Sequence, residues 1–230
     1  MKLSHKIGKL LRPEGYARGW RRFQRRLHPI PLAPLLDKID KQRLREIQER
    51  YATSARQISK YADVETWLKT NIERVQDLGL NRLPPQDIVD LGCGGGFFLH
   101  ICQQLGHRGL GVDRGEFPLY DELIDLLGVE RKLGEIKPFE PLPDLGRKFD
   151  WITAFSIGFN RKSDKSLWGP PEWEFFLNEL EQRHLKPGGK IFLALNPQEE
   201  GGEFYTDALR EFFKARRAII ERERLFFPHP

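Results

Sequence analysis

Residues 88–97 read Ile88-Val89-Asp90-Leu91-Gly92-Cys93-Gly94-Gly95-Gly96-Phe97, and the fold turns on them. The short run of Ile, Val and Leu is the pattern of a strand buried on both faces. It ends in a glycine loop, after which Phe97 to Leu105 reads as a helix. A strand that feeds a helix through bare backbone leaves N–H groups at the helix N-terminus, where the dipole favours an anion. Glycine permits positive φ there and lets a ligand come close. The dinucleotide fingerprint asks for Gly at the first, third and sixth places. Counted from Gly92 the sixth place is Phe97, and counted from Gly94 it is Leu99, so a nicotinamide dinucleotide is disfavoured.

Downstream the same alternation continues. Residues 109–113 form a second strand ending in Asp113, and 118–127 a helix with Pro at its start. A third strand is expected over 129–136 and a fourth over 149–155. A helix over 172–185 and the turn Lys186-Pro187-Gly188-Gly189 then lead into a fifth strand at 190–195. Residues 205–217 read as helix and 218–227 as strand. Strands alternating with helices at this spacing predict an α/β fold with a doubly wound, mostly parallel sheet. Upstream, 63–79 reads as a helix with Val64, Trp67, Leu68, Ile72, Val75 and Leu78 on one face and Gly79 as its stop. Residues 35–60 read as one charged helix, and Pro29, Pro31 and Pro34 as a linker. The expected units are a basic arm with its Pro-rich linker at 1–34, a helical extension at 35–80, and the α/β domain at 81–230.

Sixteen Phe and five Trp in 230 residues supply a real core, which excludes wholesale disorder. No uncharged apolar run approaches the roughly 18–20 residues that span a bilayer. The opening MKLSHKIGKLLRPEG lacks an apolar block with a small-residue cleavage site, which argues against a secretory signal. Two cysteines make no disulfide framework and no zinc spacing, so the chain reads as reduced and cytoplasmic, with no metal site. The net charge of +5 is unevenly placed: residues 1–28 hold nine Lys/Arg and one acid, Glu14, so the rest of the chain is acidic. Leu3, Ile7, Leu10 and Leu11, then Trp20, Phe23 and Leu27, recur at helical spacing with Arg between them. Such a helix packs its aromatic face on the body, lies on an anionic membrane surface, or grips nucleic acid or a protein. The first is the plainest expectation, and the acidic body counts against nucleic acid.

Asp90, Gly92, Gly94 and Gly96 together spell Asp-x-Gly-x-Gly-x-Gly, which closely resembles motif I of the class I S-adenosylmethionine-dependent methyltransferases. Four further pieces follow in order: Asp113, 23 residues after Asp90; Gly134-Glu135-Ile136; Phe149-Asp150; and Leu185-Lys186-Pro187-Gly188-Gly189-Lys190-Ile191. The resemblance covers about residues 64–227. It implies a seven-stranded, Rossmann-like methyltransferase sheet in 81–230, with S-adenosyl-L-methionine as cofactor. It further implies that the loop and Asp90 meet the methionine end, that Asp113, followed by Arg114, takes the ribose hydroxyls, and that Glu135 and Ile136 flank the adenine. Phe155 and Tyr61 join this set, Tyr61 as a residue that closes over the cofactor. Cys93 is expected as a small loop residue whose N–H faces the ligand, not as a nucleophile.

The acceptor in such a fold lies beyond the carboxyl ends of the first, fourth and fifth strands. That points to 156–161, the loop 162–172 and Asn196. Asn160 is a candidate to orient a hydroxyl, and Asp164 or Glu172 to take its proton. The alternatives are turn chemistry for Asn160 and Asp164 and a first-turn helix acid for Glu172. Trp168 stacks on a sugar or anchors the loop. The Asn/Asp-Pro-Pro-aromatic motif of amino-methylating enzymes is replaced by Ala154-Phe155-Ser156. The resulting expectation is methyl transfer to a small molecule or glycan, on oxygen, in the cytoplasm or at a membrane surface if residues 1–28 bind lipid. The alternatives are an RNA methyltransferase using the arm and a non-catalytic adaptor.

Overall fold

The computed structural model describes residues 13–162, 166–197 and 203–228, the side chains of 13–16 and Gln57 excepted. The strands are β1 (Asp87–Leu91), β2 (Arg108–Asp113), β3 (Arg131–Leu133), β4 (Phe149–Ile157), β5 (Leu185–Leu195), β6 (Ile219–Glu221) and β7 (Arg224–Pro228). They form one seven-stranded sheet in the order β3-β2-β1-β4-β5-β7-β6. Only β7 runs antiparallel to its neighbours. This is the doubly wound Rossmann-like sheet expected from the sequence. β1 sits in its middle because Ile88, Val89 and Leu91 leave no face for water.

The helices are α1 (Pro13–Leu27), α2 (Ala33–Asp37), α3 (Lys41–Tyr51), α4 (Arg56–Ser59), α5 (Val64–Asp77), α6 (Phe97–Gln104), α7 (Pro118–Leu127), α8 (Pro170–Glu179) and α9 (Asp207–Ala215). On one face of the sheet Leu68, Ile72 and Val75 of α5 join Ile101 of α6 and Leu123 of α7, and Leu35, Ile39 and Ile47 belong to the same core. On the other face Trp173, Phe176 and Leu177 of α8 pack with Leu209 and Phe213 of α9.

Several elements differ from expectation. The single helix over 35–60 is broken, because the Asp40 carboxylate accepts the N–H groups of Gln42 and Arg43 at 2.9 and 3.0 Å and so starts a new helix, α3. The third strand is cut to three residues: it lies at the sheet edge with one partner, and Lys132 and Leu133 are exposed. The Pro187-Gly188-Gly189 turn is absorbed into β5 as an irregularity, where pairing steps from Phe149 with Leu185 to Trp151 with Lys190. The last strand is a hairpin that turns at Arg222, φ +53°. The Pro-rich linker is pinned: the His28 carbonyl accepts Gln76 Nε2 at 2.8 Å and Asn81 Nδ2 at 3.0 Å.

The described part of the arm overturns the plainest expectation; Leu3, Ile7, Leu10 and Leu11 lie outside the described residues. In α1 Arg21 and Arg25 turn inward, while Trp20, Phe23 and Leu27 turn outward. The cause is Asp77, at the end of α5, whose side chain is 2% exposed. A buried carboxylate without cations is costly, and Arg25 supplies a two-pronged contact at 2.7 and 2.8 Å, with Arg224 at 2.5 Å. Arg21 reaches Glu221 from the same side of α1. Trp20, Phe23 and Leu27 are left in solvent.

Candidate functional site

Strand order reverses at β1, with β2 on one side and β4 on the other, and open α/β sheets bind ligands in the crevice at such a switch point. A cleft of about 750 Å³ lies there. Its walls come from α5, the loop after β1, the end of β2, and the segments after β3 and β4.

The loop is built on three left-handed glycines, Gly92, Gly94 and Gly96, with φ +75°, +53° and +78°. A Cβ on Gly96 would stand 2.7 Å from Ile124 Cδ1, so α7 presses against this bend; a Cβ on Gly92 would have nothing within 4 Å. The Gly94 N–H donates to Asp113 Oδ2 at 2.9 Å. The Gly115 N–H donates to Asp113 Oδ1 at 3.3 Å. The end of β2 is thereby locked to the loop, with its carboxylate at the cleft wall. Cys93 departs from expectation: its N–H donates to the Val112 carbonyl at 3.2 Å, as the Gly92 N–H does at 2.7 Å, so the amide is used by the sheet and does not face a ligand. Burial pushes the Cys93 thiol well up, so it stays protonated.

Asp90 lines the cleft with 4% of its surface exposed. Its Oδ1 accepts from Thr153 Oγ1 at 2.7 Å, a contact that follows from their pairing across β1 and β4. Burial pushes the carboxyl up to about 7, with Asp113 adding to the rise; the Thr153 hydrogen bond and the charge of Arg74 oppose it. Arg74 is the main residue that sequence reasoning missed. It projects from α5, with its guanidinium carbon 4.6 Å from the Phe155 ring centre. It donates to Asn71 Oδ1 at 3.1 Å and to Ser156 Oγ at 3.3 Å. It forms no ion pair with a carboxylate among the described residues, and burial lowers its pKa. Ser156 itself is held at φ +55°, unusual for a non-glycine, by Arg74 and by Asn196, whose Nδ2 donates to the Ser156 carbonyl at 2.9 Å.

Aromatic rings form another wall. Tyr61 stacks on Trp67 with centroids 4.6 Å apart and meets Tyr120 edge-on at 5.1 Å, while Trp67 lies over Phe97 at 6.2 Å. Burial and the contact with Tyr61 push the Tyr120 hydroxyl up, so it remains a neutral donor. Trp67 was read as one of the residues on the apolar face of this helix; it lies on the α5 row Trp67, Asn71, Arg74, spaced four and three residues apart. That row borders the apolar face and was the available signal. Glu135 lines the cleft half exposed, 4.0 Å from Arg114 and 3.2 Å from Lys137, and Ile136 is buried at its edge.

The structure therefore gathers Tyr61, Asp90, Gly92, Cys93, Gly94, Asp113, Arg114, Glu135, Ile136 and Phe155 around one cleft, with Gly96 behind them. The acceptor candidates are not gathered there. Asn160 is buried and its carbonyl accepts the Trp168 N–H at 2.9 Å; it does not line the cleft. Glu172 caps α8, accepting the Gly169 N–H at 2.8 Å and Lys162 Nζ at 2.7 Å. Burial pushes its carboxyl up, but these donors outweigh burial and hold it below the usual range. Trp168 is buried 5.4 Å from Trp173, centroid to centroid, as a loop anchor. Asp164 lies outside the described residues. Around the start of the acceptor segment the cleft is lined by Arg74, Ser156, Arg161 and Lys162.

No protein-family model and no curated protein matches the sequence. Among solved structures, the glycopeptide N-methyltransferase MtfA is 16% identical, with a TM-score of 0.41 over 57% of this chain and 54% of that one. A ribosomal protein L11 methylase from Lactobacillus delbrueckii subsp. bulgaricus is 18% identical, with a TM-score of 0.40 over 72% and 77%. The amino pentose methyltransferase CalS10 from Micromonospora echinaspora, solved with S-adenosylmethionine, is 22% identical, with a TM-score of 0.42 over 56% and 50%. The chain spans about half the length of MtfA and CalS10. Likenesses this distant carry no argument about activity, and the fold rests on the strand order itself.

Proposed function

We propose that the protein is an S-adenosylmethionine-dependent methyltransferase that acts on a hydroxyl of a small molecule or glycan. One observation carries the reading: a single cleft at the switch point joins a left-handed glycine loop to Asp113 through the Gly94 N–H, with the Asp90 carboxyl buried beside it. Two carboxylates and bare backbone suit a ligand with a vicinal diol and an ammonium group. Asp113 offers acceptor oxygens to the diol. Asp90, whose charge is only partly compensated, suits the ammonium. Arg74, with no carboxylate of its own, suits the amino-acid carboxylate. Ile136 and Phe155 offer apolar surface, and the wall of Tyr61, Trp67 and Tyr120 excludes water.

The cofactor supplies a methyl group already activated on a sulfonium, so what remains for the chain is alignment and control of the acceptor's proton. Ser156, Arg161 and Lys162 border the space where the acceptor is expected. Lys162 is paired with Glu172 and does not decide between a hydroxyl and an amine, and we take a hydroxyl as the acceptor. The absence of the amino-methylation motif supports the same choice. With Asn160 and Glu172 used in the loop and in the α8 cap, neither is retained as a catalytic group in this reading. Residues 81–230 would carry the cofactor fold, and 35–80 would complete the cleft through Tyr61, Trp67 and Arg74.

Titration calorimetry with S-adenosylhomocysteine tests this directly, and one site per chain is expected. Asp113→Ala removes charged hydrogen bonds worth about 1.5–3 kcal/mol, so it should weaken binding by about 10–150-fold. An unchanged dissociation constant in that variant would remove the ribose assignment. No binding by the natural protein would sink the whole reading.

A further inference from the structure

β4 ends irregularly at the cleft. Its pairing with β5 steps from Ala154 opposite Leu193 to Ile157 opposite Leu195, so β4 carries one extra residue there. Its pairing with β1 has already ended at Thr153. A bulge of this kind re-aims a side chain and is common beside functional sites. Ser156 sits in the bulge at φ +55°, a conformation disfavoured for any residue with a Cβ. Two contacts from different elements hold it. Asn196, just past β5, donates Nδ2 to the Ser156 carbonyl at 2.9 Å, and Arg74 of α5 donates Nη2 to Ser156 Oγ at 3.3 Å. Ser156 is exposed at the cleft wall, and among the described residues none accepts its hydroxyl proton. Arg74 is fixed as firmly. Its Nη1 donates to Asn71 Oδ1 at 3.1 Å, and the buried Asn71 in turn donates Nδ2 to the Trp67 carbonyl at 2.8 Å. The Phe155 ring lies against the guanidinium. No carboxylate pairs with Arg74 among the described residues, so the planar fork has N–H groups left over beside an unmatched hydroxyl proton.

We propose that Arg74 and Ser156 together form a carboxylate clamp, which takes the amino-acid carboxylate of the methyl donor while Asp90 receives its ammonium. The inference rests on the cofactor reading above and extends it to Ser156, Asn71 and Asn196. A guanidinium and a hydroxyl that converge in one cleft suit an anion with two acceptor oxygens. A hydroxyl that accepts from a guanidinium is also the stronger donor. Charge narrows the occupant further. The buried Asp90 carboxyl lines the same cleft, so a free phosphate would leave it without a cation, whereas an α-amino acid brings both signs. Asn71 and Asn196 are positioning residues: one orients the guanidinium, and the other holds the Ser156 backbone in its bend. Ser156 also opens the segment 156–161, so seating the carboxylate pins the start of the acceptor side.

Calorimetric titration of the full chain with two ligands tests this. One is S-adenosylhomocysteine; the other is its decarboxylated analogue, which keeps the adenine, ribose, sulfur and ammonium. The natural protein should bind the analogue about tenfold or more weakly. Ser156→Ala should weaken S-adenosylhomocysteine by about tenfold and leave the analogue within about twofold. Arg74→Gln should discriminate in the same direction and more strongly. The double variant should lose less than the product of the two single losses, because both groups act on one carboxylate. Ser156→Gly keeps the bend without a Cβ, so it should bind as Ser156→Ala does and melt about 2–5 °C higher than that variant. Equal affinity of the natural protein for the two ligands would overturn the clamp. A loss in Ser156→Ala that is the same for both ligands would overturn it too, since that is the mark of a purely structural role. So would a glycine variant that binds like the natural protein. If the natural protein binds neither ligand, the cofactor reading fails and this inference with it. If it binds both and the variants do not discriminate, this inference alone fails.

Discussion

Among single residues, Asp90 makes the sharpest claim. Its carboxyl titrates at about 7 because it is buried. A bound ammonium needs the ionised form, so affinity for S-adenosylhomocysteine should be flat above pH 7.5 and fall toward tenfold per pH unit below 6.5, measured by calorimetry from pH 5.5 to 8.5. Stability runs the other way. A native carboxyl that titrates above its unfolded value of about 3.9 binds protons that the unfolded chain has lost. It therefore costs stability as pH rises from about 4 to about 7, and above that the cost is constant. Asp90→Asn removes the cost, so at pH 8 the variant should melt higher than the natural protein yet bind more weakly, with its pH dependence gone. A lower melting point at pH 8 would show that the charge is compensated in the fold. The places of Asp90 and Asp113 at the cleft were legible because each lies within two residues of a glycine at the carboxyl end of a strand, a pattern local in sequence. Arg74 was not: it reaches the cleft only because α5 crosses to the end of β4, 82 residues away along the chain. Asn160 was misleading for the opposite reason, since a polar residue after β4 can turn into the loop as easily as into the cleft.

Elements were read best where their ends are chemically marked. Pro118 starts α7 as expected, and Gly128, at φ +62°, ends it where the expected range ends. The break at Asp40 was legible in principle, since a helix interior rarely places an acid where two amides want an acceptor, but the charged pattern on either side hid it. The loop between β1 and α6 shows the limit of composition: its glycines look alike in sequence and differ in the fold. Gly92 and Gly96 share nearly the same φ. At Gly92 a methyl group meets open space, so Gly92→Ala should cost only left-handed strain, about 1–2 kcal/mol. At Gly96 the methyl group also meets Ile124 and Val129, at 2.7 and 3.2 Å, so Gly96→Ala should cost about 1–3 kcal/mol more. Urea unfolding of both variants checks this, and equal losses would mean that the contact with α7 yields freely.

At the scale of the whole molecule, the charge asymmetry in the sequence announced that residues 1–28 differ from the body, but not how the two meet. The pairing depends on Asp77, a carboxylate buried by tertiary packing, and no local pattern marks it. Burial pushes Asp77 up, but Arg25 and Arg224 outweigh it and hold it below the usual range. Its stabilising contribution is therefore present above pH 4 and lost as pH falls further. α5 stands between two tasks: Glu73 and Asp77 hold α1, while Asn71 and Arg74 line the cleft. Removing residues 1–28 strips Arg25 from Asp77 but also opens that carboxylate to water, and Arg224 stays. Leu68, Ile72 and Val75 still fasten α5 to the sheet. The truncated protein should therefore lose about 1.5–3 kcal/mol and melt roughly 4–10 °C lower at pH 7. It should still bind S-adenosylhomocysteine within about threefold of the full chain, because every cleft residue named above lies beyond position 60. Scanning calorimetry and ligand titration on the same preparation separate the two effects. A lower melting point with intact affinity fits an arm that braces α5 from outside, whereas a large loss of affinity at an unchanged melting point would mean that α1 sets the position of Arg74.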